Sequence, residues 1–275
     1  SLDAQPLPGT EEASSPFWSP DSRFIGFFAD QKLKKIEASG GPPQTLCDAF
    51  NGRGGTWNRE GTILFAPAPT SILYRVSAAG GEATPVTKLD PSRQENSHRW
   101  PYFLPDGRHF VYFARSNLPE NRAIYAGSLD SKEAKRLINA NSNAAFAAPG
   151  FLLFVREGAA LVARSFDTKS LQLTGEPVLV AEKVRPSDPM AAASFSVSDG
   201  GVLAYGSGST AYRQLAWLDR AGRQLASVGH GGIFVDFKLS PDQKRVALDL
   251  VDPEVGGRQI WVLEFSRGVA SRFSF

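Results

Sequence analysis

The sequence predicts an all-β protein and, more narrowly, a β-propeller of four-stranded antiparallel blades. Its apolar segments are short and rich in Phe, Val, Ile, Leu and Tyr, and long amphipathic helical patterns are absent. Glycine and proline, which favour turns, supply 26 and 19 of the 275 residues. A unit of several short strands also recurs with a period of roughly 40 to 50 residues, which is typical of propeller blades.

Turn residues mark the start of the second strand in each unit. Six such turns precede similar apolar strands, at Asp21, Glu60, Asp106, Gly150, Asp199 and Asp242. The markers advance by about 44 residues per unit, within the range of propeller repeats. This spacing predicts six blade repeats in a single domain that spans residues 1–275. The predicted blades are about 15–50, 51–90, 97–142, 143–184, 193–232 and 233–275.

The first two units show all four strands of a blade. In the first unit the strands are PFW, RFIGFFA, KLKKIEA and QTLCDA, and the turn SPDS joins the first two. In the second unit they are GGTWN, TILFAPA, SILYRVSA and TPVTKLD, and REG is the turn. Aromatic and β-branched residues favour the strands, whereas Pro, Asp and Gly favour the turns.

The later units follow the same order. The third unit contains HRWPYFL, RHFVYFAR, AIYAGSLD and KRLINA, and the sixth contains FVDFKLS, KRVALDL, QIWVLEF and VASRFSF. The fourth and fifth units, from Ala144 and Ala193, are more degenerate. Residues 1–14 are interpreted as an extra outer strand from a preceding repeat. We therefore expect either a six-bladed ring with one spare strand or a fragment of an array with seven or more blades.

Three of the turn aspartates are predicted to be structural. Asp21 lies in SPDS, Asp106 in LPDG and Asp242 in SPDQ, at positions where type I turns favour Ser, Pro and Asp. An acid that recurs between the first and second strands of several blades accepts backbone hydrogen bonds rather than performing one reaction. These three residues are therefore not predicted to be catalytic.

Composition and charge exclude several classes of partner. The formal net charge is +2 and no dense Lys/Arg block occurs, so no nucleic-acid partner is predicted. Cys47 is the only cysteine, which excludes an intrachain disulfide and a thiolate metal cluster. No apolar run approaches the roughly 18 residues of a membrane helix, so we expect no membrane contact by this domain. The chain is expected to be a monomer.

The repeats resemble the WD40-like, TolB-like (PD40-type) propeller repeats. Their motif runs W-S-P-D-G, an apolar strand, a strand with Ile-Tyr, and then G-G-x-x-x-x-L-T. Matching segments are WSPDS at 18–22, GGPPQTL at 40–46, GGEATPVT at 80–87, LPDG at 104–107 and SPDQ at 240–243. The likeness is strongest to the C-terminal propellers of bacterial membrane-anchored serine/threonine protein kinases. That resemblance implies a periplasmic or extracytoplasmic location, although this chain has no kinase motif.

Catalytic motifs are weak in this sequence. There is no G-x-S-x-G nucleophile motif, and the three histidines, at 98, 109 and 230, are too scattered for an H-x-x-x-H metal pair. No catalytic residue, cofactor or metal is therefore predicted. Paired carboxylates of the kind that glycosidases use stay possible, since Asp and Glu occur in every blade and propellers host such enzymes.

One face of the predicted ring carries the loops that join successive blades. These loops hold several Arg and His residues that could bind a protein, a peptide or a small anionic ligand. The candidate binding residues are Arg53, Arg93, His98, Arg99, Arg185 and His230. The simpler interpretation is that the loops are only solvated.

Two functional hypotheses follow from the sequence. The first is a non-catalytic sensor or protein-interaction module that binds a ligand or partner on the loop face, and the resemblance implies that it is the extracytoplasmic part of a bacterial serine/threonine kinase-type protein. The alternative is a hydrolase or lyase propeller whose carboxylates line the central channel. Converging carboxylates or a metal at the channel would distinguish the second from the first.

Overall fold

The computed structural model describes residues 5–184, 186–187, 191–207, 213–219, 222–251 and 257–265. Strands make up nearly all of their regular structure. The exceptions are the short 3₁₀ turns Pro91–Arg93, Pro119–Asn121 and Glu157–Ala159. Within these ranges no helix is long and apolar enough to cross a membrane. The prediction of an all-β protein made of antiparallel sheets is confirmed.

Four blades are sheets of four sequential antiparallel strands. The first comprises Ser14–Trp18, Phe24–Ala29, Lys32–Glu37 and Gln44–Asp48. The second comprises Gly55–Trp57, Thr62–Phe65, Tyr74–Ser77 and Thr84–Pro85. The third comprises Glu95–Phe103, His109–Ser116, Ala123–Ser128 and Ser131–Asn139. The fourth comprises Ala144–Ala147, Phe151–Arg156, Ala160–Asp167 and Gln172–Ala181.

The last blade is a five-stranded sheet centred on one long strand, Gln224–Leu239. The first part of this strand pairs with Arg213–Leu218, and its second part pairs with Arg245–Val251. Arg258–Glu264 adds the next strand, and Gln5–Pro6 adds the outermost one. Two smaller two-stranded sheets lie between the fourth and last blades. They pair Pro186–Ser187 with Ala192–Ala193 and Phe195–Val197 with Leu203–Tyr205.

The predicted number of six blades is wrong, because the described chain forms five blades. The fifth unit does not make a four-stranded sheet of its own. Its first two strands form only the pair Phe195–Val197 and Leu203–Tyr205, and its remaining strands join the last sheet. The predicted boundary between the fifth and sixth units, between residues 232 and 233, lies inside the long strand Gln224–Leu239. Gly229 adopts a left-handed φ of 63°, which glycine tolerates, and the strand continues past it: up to Gly232 it pairs with Arg213–Leu218, and from Ile233 onward it pairs with Arg245–Val251.

Contacts between the first and last blades close the ring. Gln5 and Pro6 pair with Val262 and Trp261, and the indole Nε1 of Trp18 donates to the carbonyl of Lys238 at 2.8 Å. The predicted outer strand at 269–275 lies outside the described residues. Within the described chain, the N-terminal segment supplies the outermost strand of the last blade.

The Ser-Pro-Asp turns have the same hydrogen bonds in two blades. The Asp21 carboxylate accepts from the Ser19 hydroxyl at 2.6 Å and from the Arg23 amide at 3.1 Å. Asp242 accepts from the Ser240 hydroxyl and the Lys244 amide at the same two distances. Asp106 instead accepts from the amides that follow it and from His109. All three carboxylates therefore hold the turn backbone in place.

Replacement of Asp21 by Ala is expected to lower the free energy of unfolding by about 1 kcal/mol, as for the loss of other side-chain caps. Burial acts to raise the pKa of Asp21, but the hydrogen bonds from Ser19 and Arg23 lower it below its ordinary value. The stabilising effect is therefore present at neutral pH and is lost as the pH falls through the depressed pKa. Urea denaturation at pH 7 measures the change. Asp21→Asn and the exposed variant Asp130→Ala serve as comparisons, and an unchanged midpoint for Asp21→Ala would contradict the prediction.

Candidate functional site

A cavity of about 410 Å³ follows the axis of the propeller, between the inner strands of the blades. Eight aromatic residues are among those that line it. Six of the lining residues are Phe17, Trp18, Trp57, Trp100, Tyr102 and Phe103. The cavity also reaches the face that carries the Ser-Pro-Asp turns, because Pro20, Pro105 and Pro241 belong to its lining. It therefore has the size and the mixed apolar character of a small-molecule site.

Four charged residues line this cavity, Arg59, Asp199, Asp236 and Lys238, and the last two belong to the last blade. Asp236 and Lys238 lie on the inner part of the long strand, with the Lys238 Nζ 3.1 Å from the Asp236 Oδ1. The same oxygen accepts the Phe237 amide at 2.8 Å, which holds the carboxylate in position. Asp199 lines the cavity elsewhere, at the end of the two-stranded sheet.

A second, smaller cavity of about 20 Å³ adjoins the first. Ser15, Trp100 and Asp236 line both cavities, whereas Asp249 and Arg258 line only the smaller one. A cavity of this size can hold about one water molecule where polar groups surround it. Two carboxylates and a guanidinium therefore meet around a space the size of a water molecule, beside the aromatic channel.

Asp249 is fully buried in this second cavity. Its carboxylate accepts hydrogen bonds from the Arg258 Nε at 2.9 Å, from an Arg258 Nη and from the Ser15 amide at 3.4 Å. Burial raises the pKa of Asp249 to about 6, against the opposing effect of the Arg258 guanidinium. The nearby charge of Asp236 also raises it. A carboxyl group with this pKa can accept and return a proton near neutral pH.

The structure disperses the six residues that were predicted to bind a partner. Arg93 pairs with Asp90 at 3.2 Å on the protein surface. The Arg53 guanidinium is half-buried and donates to oxygens of Asn51 and Gly52. Arg185 lies outside the described residues, as does the side chain of His230, whose backbone belongs to the strand Gln224–Leu239. Binding of a partner by these residues stays a prediction.

His98 and Arg99 lie inside the protein rather than on a loop. The His98 ring is 1% exposed and lies 2.7 Å from the Thr87 hydroxyl and 3.1 Å from the Glu95 carboxylate. Arg99 is 4% exposed and donates to the Ser97 hydroxyl and the Pro69 carbonyl. Polar groups that are buried and hydrogen-bonded in this way stabilise the packing of a blade against its neighbour.

Sequence reasoning did not single out Asp236, Lys238, Asp249 or Arg258. The first two interrupt the apolar strand FVDFKLS, and Asp249 interrupts RVALDLV. A charged residue within a predicted inner or second strand is unusual, because the inner strands of a propeller are largely buried. That signal could have identified the two acids, but it could not have paired either of them with Arg258.

Metal binding does not fit these donor groups. Across the described ranges no group of three or more His, Cys, Asp and Glu residues could hold an ion. Asp236 is paired with Lys238 and Asp249 with Arg258, so each carboxylate already faces a cation. Each of the two carboxylates is thus part of an acid–base pair.

The fold and the site together define a β-propeller with a carboxylate pair at its central channel. No protein-family model matches the chain, and comparison with curated proteins finds no match. Similar folds occur among solved structures. A gluconolactonase from Xanthomonas campestris matches with a TM-score of 0.69 and 16% identity, over 94% of this chain and 87% of that one. The calcium-binding protein regucalcin from Agrobacterium tumefaciens matches with a TM-score of 0.67 and 15% identity, over 94% and 90%.

TolB is also among the similar structures. TolB from Acinetobacter baumannii matches with a TM-score of 0.52 and 15% identity, over 92% of this chain and 54% of that one. At these identities the likeness establishes the fold alone. The chain is thus a β-propeller with TolB-like structural neighbours, as the repeats indicated.

The comparisons correct two functional predictions. The chain was expected to be a non-catalytic sensor or interaction module and not an enzyme. The similar structures include a gluconolactonase, and they support the alternative of a hydrolase-type propeller better than the sensor. The physical reason for the error is that no catalytic motif is contiguous in the sequence. Asp236, Asp249 and Arg258 meet only after the last blade has formed.

Proposed function

We propose that the protein is a hydrolase that cleaves the ester bond of a small substrate, such as a lactone, in its central channel. The observation that carries this proposal is the buried Asp249, with a pKa of about 6, beside a water-sized space that opens next to the aromatic cavity. The fold similarity to a gluconolactonase supports the choice of a lactone. General bases are commonly tuned toward neutral pH by burial in this way.

In the proposed reaction, Asp249 accepts a proton from a water molecule as the water oxygen attacks the carbonyl carbon of the substrate. The carbonyl oxygen becomes negatively charged and is stabilised by the Lys238 ammonium, which the Asp236 carboxylate positions. The carbon–oxygen bond to the leaving group then breaks. The proton held by Asp249 passes to the leaving oxygen, so the products are a carboxylic acid and an alcohol.

The aromatic lining contributes in two ways. Trp100 and Tyr102 present broad apolar faces to a substrate ring, and they keep bulk water away from the charged groups. Burial raises the pKa of Tyr102 well above its ordinary value, so its hydroxyl stays protonated. It can therefore donate a hydrogen bond to a hydroxyl or ring oxygen of the substrate.

The proposal is tested by assaying the protein on D-glucono-1,5-lactone, D-glucono-1,4-lactone and neutral 4-nitrophenyl esters. We expect hydrolysis above the rate in buffer, and we expect Lys238→Met to lower kcat by about 10²-fold with a smaller change in KM. Lys169→Met, at an exposed position of the fourth blade, is the control and should keep full activity. Wild-type protein that hydrolyses none of these substrates, or a Lys238→Met variant with unchanged kcat, would contradict the proposal.

We also propose where the protein is located and what it contacts, on the basis of the likeness of its repeats to kinase-linked propellers. In this proposal the hydrolase domain lies outside the cytoplasm as a monomer, and it contacts neither nucleic acid nor the membrane. The sequence that precedes Ser1 in the gene tests this directly. A kinase domain followed by a membrane helix is the expected finding, and a cytoplasmic chain without either would contradict it.

A further inference from the structure

The turns at one end of the channel share a backbone pattern and differ in one residue that faces the cavity. In five of these turns the amide of the fourth residue donates to the carbonyl of the first. The second residue of each of the five turns lines the cavity. These second residues are Pro20, Arg59, Pro105, Asp199 and Pro241. Three prolines and two residues of opposite charge therefore lie around the mouth of the channel.

Asp199 does not have the structural role of the other turn aspartates. Asp21, Asp106 and Asp242 are the third residues of their turns, and each carboxylate accepts a hydrogen bond from the turn backbone. The third residue in the turn of Asp199 is Gly200. Across the part of the chain that the structure describes, the Asp199 carboxylate accepts no hydrogen bond and forms no ion pair. Its charge is therefore not used to hold the turn.

The Tyr102 side chain reaches the part of the cavity wall that carries Asp199. It packs against the apolar cluster that contains Phe195 and Val197, the ends of the strand that leads into the turn of Asp199. Burial, and in addition the negative charge of Asp199, raise the pKa of Tyr102 above its ordinary value. The face of an aromatic ring attracts organic cations. A ring and an exposed carboxylate thus occur together at the mouth of the channel.

The two cations that line the cavity do not pair with Asp199. Lys238 pairs with Asp236. Arg59 belongs to the second blade, and the inner strands contact each other in ring order, which places Arg59 and Asp199 on opposite sides of the channel. The mouth is therefore negative on the side of Asp199 and positive on the side of Arg59.

We propose that Asp199 and the ring of Tyr102 form a subsite for an ammonium group carried by the substrate. This inference rests on the proposed hydrolase function and narrows its substrate class to esters or lactones that bear an amine or a quaternary ammonium group. The strand before Asp199 contacts the strand of Lys238, since the Ser196 hydroxyl accepts the Leu239 amide at 3.0 Å. The cationic group binds at the mouth, and the ester group extends from it along the channel toward Lys238.

Binding is measured first, because it does not depend on turnover. Isothermal titration calorimetry compares choline with 3,3-dimethyl-1-butanol, which has the same shape but carries carbon in place of the charged nitrogen. We expect choline to bind about tenfold more tightly to the wild-type protein, from the combined attraction of the ring and the carboxylate. Asp199→Asn should remove most of this difference, whereas the exposed control Asp130→Asn should retain all of it. Choline binding that is no tighter than that of the alcohol, or an unchanged Asp199→Asn variant, would overturn the subsite.

A variant on the other side of the mouth separates a local contact from a general effect of charge. Arg59→Gln removes a cation that lies across the channel from the proposed subsite. We expect this variant to keep or increase the preference for choline. Loss of the preference in Arg59→Gln, or in Asp130→Asn, would overturn the assignment of the ammonium group to Asp199.

Hydrolysis is then compared for acetylcholine and 3,3-dimethylbutyl acetate, its uncharged counterpart. We expect kcat/KM to be about tenfold higher for acetylcholine, and the preference to disappear in Asp199→Asn. Selective choline binding without hydrolysis of either ester would sustain the subsite and contradict the hydrolase. Hydrolysis of both esters at equal rates would sustain the hydrolase and overturn the subsite.

Discussion

Replacement of Asp249 by Asn should lower kcat for lactone or ester hydrolysis by about 10³-fold, within the range for the loss of a general base. Asparagine has nearly the same shape and can still accept a hydrogen bond from Arg258, but it cannot take a proton from water. The rate is measured with purified protein whose folding has been verified by circular dichroism. Asp130→Asn, at an exposed turn of the third blade, is the matched control and should keep wild-type activity.

The pH dependence separates this chemical role from a structural one. Asp249 acts as a base only when it is ionised, so the wild-type kcat should fall as the pH decreases through about 6. The small residual rate of Asp249→Asn should lack this ionisation. A variant that loses activity only in proportion to its folded fraction, or that keeps the wild-type pH profile, would show that Asp249 is not the base.

Replacement of Arg258 by Ala should lower the free energy of unfolding by about 3 kcal/mol at pH 8. The reason is that removal of one partner leaves the fully buried Asp249 carboxylate without its cation. Chemical denaturation measures the loss. Arg108→Ala is the matched control, since Arg108 pairs with Asp130 at an exposed position and its loss should cost less than 1 kcal/mol.

The pH dependence of the stability lost in Arg258→Ala is a second test of the role of Arg258. In the folded wild-type protein the pKa of Asp249 is about 6, above its ordinary value, and removal of Arg258 raises it further. Protonation of Asp249 therefore favours the folded state, and the defect of Arg258→Ala should shrink as the pH falls from 8 to 5. Adding Asp249→Asn should recover at least half of the lost stability at pH 8. A defect that is independent of pH and not rescued would contradict the buried-charge explanation.

Local features of the fold were accessible from the sequence because short-range chemistry determines them. The turns at Asp21, Asp106 and Asp242 form where Ser, Pro, Asp and Gly favour them. The strands that flank them follow the apolar segments of the repeats. The number of blades and their boundaries were harder to predict from the sequence. The strand Gln224–Leu239 merges two predicted units. It pairs with its neighbours in the sequence, Arg213–Leu218 and Arg245–Val251, but the repeat pattern does not show that one continuous strand joins the two pairings.

The candidate site could not be read from the sequence for a related reason. The predicted loop face drew attention to residues such as His98, which the fold buries between blades. The acids of the channel lie instead in strands, where sequence patterns alone indicate core positions. Their pairing with Lys238 and Arg258 depends on the register of the last sheet and on its contact with Ser15 of the first blade.

The amino-acid sequence by itself determined the all-β class, the antiparallel four-stranded repeat and the structural role of the Ser-Pro-Asp turns, since each depends on residues close together in the chain. Tertiary structure alone decided that there are five blades and that the N-terminal segment completes the last one. It also decided that Asp249, Arg258 and Asp236 surround one small cavity beside the channel. Ring closure brings together groups from opposite ends of the chain, and the burial that follows raises the pKa of Asp249 to about 6.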